Sequence, residues 1–203
     1  MFRVRHTTDE KGRLLIQDPP IARFLFQSTT AAWLWLVVRL YLGYEWIEAG
    51  WHKFTDPKWI GDGSALLAYW TRAVAVPEPP ARAAITYDWY RGFLQMLIDN
   101  NSHVWFAKVI VFGELLIGLG LIVGGLVGIA AFFGAVMNMS FMLAGSASTN
   151  PVLFFLAVLI ILAWKNAGYL GLDRFLLPEL GTPWGQPKLK SQPPAKGAVP
   201  MRA

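Results

Sequence analysis

Four stretches of the chain approach or reach the length of about 20 apolar residues that crosses the hydrocarbon core of a bilayer. They run roughly over residues 30–51, 104–123, 126–145 and 152–171. The composition agrees, because 55% of the 203 residues are hydrophobic, 10 are Trp and the mean hydropathy is +0.40, which exceeds the apolar content of an average soluble domain. We therefore predict an all-α membrane protein, a bundle of four transmembrane helices. A soluble α protein with deeply buried helices is the alternative.

The residue types that are missing exclude several kinds of chemistry. The chain has no cysteine, which excludes disulfides, iron–sulfur clusters, thiolate zinc sites and dithiol redox chemistry. No glycine-rich loop follows a predicted strand, so a nicotinamide or flavin site is not expected. The first 28 residues carry charges of both signs and no short apolar core, so a cleavable signal is not expected either.

The positive charge is concentrated at the two ends of the chain. Residues 1–30 hold five Lys or Arg against three acidic residues, residues 172–203 hold five against two, and residues 53–103 hold five of each. The positive-inside rule then places both ends in the cytoplasm. We expect a multi-pass protein of the cytoplasmic membrane, with segments 53–103 and 146–151 facing outward. Anionic lipid is a sufficient partner for the basic ends, so nucleic acid is not expected.

The chain divides into three parts by composition. Residues 1–27 are expected to form a small cytoplasmic hairpin and an interfacial segment, since “FRVRHTTDEKGRLLIQ” has apolar residues on both sides of a polar turn. Residues 28–177 form the membrane domain, and its outer loop contains two amphipathic helices, “SALLAYWTRAV” and “DWYRGFLQMLID”. Residues 178–203 are rich in Pro, Gly and Lys and are expected to be a flexible basic tail.

Charged residues within the first apolar segment need a physical reason. “GYEWIEAGWHKF”, residues 43–54, carries Glu45, Glu48 and His52, and a charge at the bilayer centre costs at least about 2.5–3.5 kcal/mol. At 100° per residue these three side chains lie within about 60° of one another, and Tyr41 extends the same face. Such a polar face is expected to point into the bundle.

Depth along the helix axis decides which charges on neighbouring helices can meet. We place the centre of the first segment near position 42 and that of the second near Glu114. Glu48 and Lys108 then both lie roughly 9 Å outward, and Arg39 lies within one turn of Glu114. We predict the ion pairs Glu48–Lys108 and Arg39–Glu114. Such pairs either fix only the register of the helices or belong to a polar pocket, open outward, in which carboxylates exchange protons.

Three stretches of the sequence resemble the DoxX family of membrane proteins, close to its DoxD-like branch. They are “RLYLGYEWIEAGWHKFTDPKW”, “GELLIGLGLIVGGLVGIAAFFGAVMNMSFMLAG” and “NPVLFFLAVLIILAWKNAGYLGLDRFLLP”, and the resemblance runs from about residue 18 to about residue 178. It implies a four-helix membrane bundle. For DoxD-like members it also implies a subunit that passes electrons from thiosulfate to a quinone, usually together with a second subunit.

These arguments place the expected chemistry in the outer half of the bundle. The residues expected to be catalytic are Glu45, Glu48, His52 and Glu114. The residues expected to bind substrate or quinone are Tyr41, Trp46, Lys53, Lys108, Phe112 and Asn138. Quinone is expected as a substrate and not as a bound cofactor. His52 and His103 at the outer boundary are too few for a metal or haem site, so no metal is expected.

Two functional hypotheses follow. The first is a quinone-linked oxidoreductase subunit of the thiosulfate:quinone type, with a second redox subunit or a larger membrane complex as its partner, because this chain contains no redox centre of its own. The second is a non-catalytic membrane scaffold or assembly subunit of a redox complex. A transporter is less consistent with the sequence, because no broken helix or inverted repeat is apparent.

Overall fold

Helices make up most of the chain that this computed structural model describes, which is residues 7–8, 14–15 and 18–181. The helices are α1 (Pro20–Gln27), α2 (Ala32–Thr55), α3 (Pro57–Ile60), α4 (Ser64–Val74), α5 (Asp88–Asp99), α6 (His103–Val123), α7 (Val127–Leu143), α8 (Asn150–Leu162), α9 (Trp164–Ala167) and α10 (Asp173–Glu179). The all-helical prediction is confirmed for this part of the chain. Two short strands, β1 (Thr7–Thr8) and β2 (Leu14–Leu15), pair antiparallel near the N-terminus. Of the predicted tail 178–203, Pro178 and Glu179 belong to α10, and residues 182–203 lie outside the described part of the chain.

The two amphipathic helices predicted in the outer loop are present as α4 and α5. They begin at Ser64 and Asp88, the first residues of the two predicted stretches. Gly63, with φ +72°, precedes α4, and Asp62 accepts a hydrogen bond from the Ser64 N–H at 2.9 Å. The apolar faces of α4 and α5 pack with the outer half of α6 in one buried cluster, which includes Leu66, Trp70, Leu94, Leu97, Ala107 and Ile110. These helices therefore cover the outer end of the bundle.

A close contact between glycines sets the register of α2 against α6. A Cβ placed on Gly118 would lie 2.7 Å from Ile47 Cγ1 and 2.8 Å from the Gly43 carbonyl oxygen. Farther out, a Cβ on Gly50 would lie 3.1 Å from Glu114 Cβ. Small residues allow helix backbones to approach in this way where apolar burial alone gives no preference. Glu114 therefore faces Gly50, about two turns farther out along α2 than the position 42 expected from sequence.

Arg39 links the C-terminal end of α6 to the loop between α9 and α10. Its guanidinium is 2% exposed and donates from Nη1 to the carbonyl oxygens of Leu121 and Ile122, at 2.6 and 2.7 Å, and from Nη2 to the carbonyl oxygen of Leu170, at 2.7 Å. Gly124 has φ +69°, and a Cβ there would lie 2.8 Å from Arg39 Cζ. A larger residue at 124 would therefore displace the guanidinium. The cation lies at the helix end where the peptide dipoles favour positive charge.

Asp173 binds the N-terminus of α7, just as Arg39 binds the C-terminal end of α6. Its carboxylate is 1% exposed and accepts hydrogen bonds from the backbone N–H groups of Leu126 and Val127, at 2.5 and 2.9 Å. An anion is stabilised at a helix N-terminus by those free N–H groups and by the helix dipole. Arg39 and Asp173 thus hold the two sides of the turn between α6 and α7.

Large apolar side chains remain exposed along α2, α6, α7 and α8. They include Val37, Leu40, Val109, Leu116, Ile129, Phe132, Phe155 and Leu162. In the described part of the chain, α6 alone is both long and apolar enough to cross a membrane, with a mean hydropathy of 2.2. The segments Pro20–Gln27 and Thr29–Thr55 meet the same criterion together but are bent by 62°, and α7 and α8 are apolar but shorter.

Candidate functional site

A polar cavity of about 440 Å³ lies in the outer half of the bundle. Its walls come from α2, α3, α4, α6, α7, the connection after α7 and the start of α8. The lining residues are Glu45, Trp46, Ala49, Lys53, Trp59, Ala65, Tyr69, Arg72, Glu114, Asn138, Phe141, Ser146, Ser148, Thr149, Asn150 and Leu153. A concave site of this size that combines apolar walls with a few convergent polar groups is typical of small-molecule binding sites.

An ion pair between Lys53 and Glu114 lies on one wall of the cavity. Lys53 Nζ lies 2.9 Å from Glu114 Oε1 and 2.7 Å from Oε2, and the carboxylate is 1% exposed. The ammonium also lies 5.4 Å from the ring centroid of Trp59 and donates to the Ala49 carbonyl oxygen at 3.3 Å. Two oxygens, a carbonyl and an aromatic face therefore hold Lys53 in one position.

Two polar groups on the cavity wall have no hydrogen-bond partner within the described part of the chain. Asn138 on α7 is 0% exposed, and neither its Nδ2 nor its Oδ1 is bonded; Trp46 Nε1 on α2 is also unbonded. A buried polar group left unpaired costs about 1–3 kcal/mol, and such groups are few in native proteins. Together they hold three N–H donors and one carbonyl acceptor, of which the Trp46 indole nitrogen lies against α7, 3.2 Å from a Cβ placed on Gly134.

The outer rim of the cavity is rich in hydroxyl groups and carries one further cation. Ser146, Ser148 and Thr149 lead into the N-terminus of α8, and Arg72 comes from α4. The Tyr69 hydroxyl donates to the Phe141 carbonyl oxygen over a long 3.4 Å. Burial raises the pKa of the Tyr69 phenol, so it remains a neutral hydrogen-bond donor.

The structure brings together five of the residues predicted to form the site. Glu45, Trp46, Lys53, Glu114 and Asn138 all line the cavity. They come from three helices that pack together, α2, α6 and α7. The chemical roles proposed for these residues stay predictions.

The other five predicted residues do not line the cavity. Glu48 and His52 are exposed, with Glu48 Oε1 3.9 Å from His52 Nε2. Tyr41 and Phe112 are exposed apolar residues, and Phe112 packs edge-on against Phe54. Lys108 is half-buried on α6.

Both predicted ion pairs are wrong. Among the described residues Glu114 pairs with Lys53 and Glu48 lies beside His52, while Arg39 binds only carbonyl oxygens and Lys108 forms no ion pair. The reason is the register of the two helices. α2 continues to Thr55. Its position along α6 differs by about two helical turns from the register that was predicted by matching the depths of residues on the two helices.

Sequence reasoning did not select the residues that the outer segment contributes. Tyr69 and Arg72 belong to α4 and, with Ala65, follow the i, i+4, i+7 spacing of one helix face. That spacing was available in the sequence, since the opposite face carries the apolar residues of the helix. The rim residues Ser146, Ser148 and Thr149 carry no such pattern, because they belong to a connection between helices.

No family model, curated protein or solved structure matches this chain. Within the described residues, no group of three or more His, Asp or Glu side chains comes together to hold a metal ion. What the cavity offers chemically is a set of fixed hydrogen-bond donors, two cations, two carboxylates and a neutral phenol. Such a set suits a small polar or anionic molecule.

Proposed function

We propose that the chain is a multi-pass protein of the cytoplasmic membrane, of the DoxX type, in which α2, α6, α7 and α8 with α9 cross the bilayer. The exposed apolar side chains on these helices support contact with lipid. α7, with 17 residues, is about 25 Å long, and α9 extends α8 across a one-residue break. Both ends are cytoplasmic in this arrangement, and the polar cavity opens on the outer side.

We further propose that the chain is a quinone-linked redox subunit, whose polar cavity receives a small reduced sulfur oxyanion such as thiosulfate. The observation that carries this proposal is Asn138, a fully buried amide with no partner in the described chain on the wall of a cavity that also holds Lys53 and Arg72. An oxyanion would accept a hydrogen bond from the amide Nδ2. The charge-assisted contacts to the cations would orient it.

The reaction balances without a metal centre. Two thiosulfate ions each lose one electron, and a new S–S bond joins them as tetrathionate. The quinone gains the two electrons and takes up two protons to become a quinol. In this proposal the chain supplies binding and orientation, which bring donor and acceptor into reach, and Glu45 or the Tyr69 hydroxyl is within the same cavity to pass protons.

Two carboxylates one helical turn apart allow a sharp test. Purified protein in proteoliposomes is assayed for thiosulfate-dependent reduction of a short-chain quinone. Glu45→Gln and Asn138→Leu change residues that line the cavity, whereas Glu48→Gln makes the same chemical change as the first variant on the exposed side of α2. We expect both cavity variants to lose at least tenfold in rate and Glu48→Gln to retain the wild-type rate.

Other outcomes count against the proposal. An equal loss in Glu45→Gln and Glu48→Gln would show that the carboxylates act through net charge and not through the cavity. Wild-type protein that folds but reduces no quinone, even with proteins that co-purify with it, would favour the scaffold hypothesis.

A further inference from the structure

A second cavity, separate in character from the polar one, lies between α4, α5, α6 and α7. Its volume is about 380 Å³, and its walls are almost entirely apolar. The aromatic residues among them are Tyr69, Trp70, Tyr90, Phe93, Phe106, Phe133 and Phe141. Trp70 and Phe106 meet edge to face, with ring centroids 5.4 Å apart. A slot with aromatic walls favours a flat ring, because rings gain from stacked and edge-on contacts beyond their buried area.

The mouth of this apolar cavity lies on the part of the surface that we assign to lipid. Val109 and Phe133 are each 55% exposed and Val136 is 45% exposed, and all three line the cavity from α6 and α7. A molecule dissolved in the bilayer can therefore enter sideways, between two membrane helices. A water-soluble ion would have to cross hydrocarbon to reach the same opening, which is strongly unfavourable.

The polar groups of the apolar cavity lie beside α7. The Tyr90 hydroxyl donates to the Ser140 carbonyl oxygen at 2.8 Å, a normal hydrogen bond, whereas the Tyr69 hydroxyl reaches the Phe141 carbonyl oxygen only at 3.4 Å. A weakly held phenol O–H is available to a better acceptor. Tyr69 and Phe141 line both cavities, so these two rings form part of the wall between them.

We propose that the apolar cavity is the site of the quinone ring, entered from the lipid between α6 and α7, with one quinone carbonyl accepting a hydrogen bond from Tyr69. An acyl chain fits the apolar walls but carries no acceptor for the phenol O–H. A quinone has both an apolar ring and a carbonyl acceptor. This assignment rests on the proposed redox function for the identity of the ring. It adds that the reductant and the quinone occupy different cavities and react across the wall that contains Tyr69 and Phe141.

Gly113 offers a way to fill the apolar cavity without strain. It lies on α6 within the lining, and the described atoms nearest to a Cβ placed there are the sulfur and methyl of Met137, at 3.6 and 3.9 Å. Gly113→Leu places its branched end in the space that the ring would occupy. Gly92→Leu on α5 is the matched control, because among the described residues no atom lies within 4 Å of a Cβ at that position.

The test measures the dissociation constant of a short-chain ubiquinone analogue in nanodiscs that hold wild-type protein or one variant. We expect Gly113→Leu to weaken binding at least tenfold, and Tyr69→Phe to weaken it about threefold to tenfold, the loss of one hydrogen bond. Gly92→Leu is expected to bind as wild type does. Gly113→Ala serves only as a folding control, because an unchanged melting temperature shows that α6 tolerates a side chain at this position.

The alternatives give distinct results. Quinone binding that survives Gly113→Leu but is lost in Asn138→Leu would place the ring in the polar cavity, overturning this inference while leaving the redox function intact. A wild-type protein that binds no quinone would overturn both. If a co-purified phospholipid fills the apolar cavity and quinone cannot displace it, the cavity is a lipid site and the inference fails.

Discussion

At the scale of single residues, loss of the ion pair of Lys53 and Glu114 should lower the free energy of unfolding most. Removing one member of a buried pair leaves the other charge uncompensated, at a cost of about 3–5 kcal/mol, whereas replacing both with apolar residues is often neutral. We expect Lys53→Met to destabilise the protein by about that amount and Lys53→Met with Glu114→Leu to recover most of it. Reversible unfolding in mixed detergent, with a double-mutant cycle, measures both values.

Lys108→Met provides the control for that cycle. Lys108 lies on the same helix as Glu114, is half-buried and forms no ion pair among the described residues. A change of about 0.5 kcal/mol or less is expected there, as for most surface substitutions. A loss of several kcal/mol in Lys108→Met, with none in Lys53→Met, would mean that the register of α2 against α6 is the one first predicted from sequence.

The residues of the polar cavity could be predicted only in part. Glu45 was accessible to sequence reasoning because charged residues in an apolar helix often face the interior, although the same reasoning failed for Glu48, which is exposed. The partner of Glu114 could not be predicted, because the sequence does not show at which height α2 packs along α6. That height depends on Gly43, Gly50 and Gly118, whose contacts exist only once the two backbones touch.

At the scale of the helices, the packing of α5 against α7 depends on the Tyr90 hydroxyl. It donates to the Ser140 carbonyl oxygen at 2.8 Å. Tyr90→Phe should cost about 0.5–1.5 kcal/mol, the usual net value of one hydrogen bond. Local hydrogen exchange along α5 would report the loss. Tyr87→Phe, at an exposed position just before the same helix, should leave the exchange unchanged.

The same hydrogen bond should make the packing of α5 against α7 sensitive to alkaline pH. Burial raises the pKa of the Tyr90 phenol, so folding favours its neutral form. The contribution is complete below the unfolded value of about 10 and declines as pH rises from there through the higher folded value. The protection of α5 amides, taken relative to the intrinsic base-catalysed exchange rate, should fall above about pH 10 in wild type, and this fall should be much smaller in Tyr90→Phe. An equal pH dependence in both would assign the titration to another group.

Helix identity was the most predictable level. Apolar periodicity predicted α4 and α5, and continuous hydropathy predicted α2, α6, α7 and α8, because both signals are local. The turn between α6 and α7 was not predictable in this way. The side chain that binds the start of α7 is Asp173, which lies 46 residues farther along the chain than Val127.

At the scale of the whole molecule, the absence of cysteine makes the proposed topology directly testable. Single cysteines placed at Arg82 and Ser148 should react with a membrane-impermeant maleimide in right-side-out vesicles. Cysteines at Gln27 and Glu179 should react only after permeabilisation, because both ends are proposed to be cytoplasmic. Labelling of Ser148→Cys and Glu179→Cys from the same side would contradict a crossing by α8 and α9.

The bonds made by Arg39 also impose an order on biosynthesis. The first membrane helix leaves the ribosome long before the carbonyl oxygens of Leu121, Ile122 and Leu170, to which its guanidinium is bonded in the finished molecule. Until then Arg39 must find other acceptors, which in the proposed topology are water and lipid phosphate at the cytoplasmic surface. This end of the bundle therefore closes only when the segment from Leu170 to Asp173 has been synthesised. If the proposed topology holds, a chain interrupted shortly before that point would carry its unfinished end where cytoplasmic proteases can reach it.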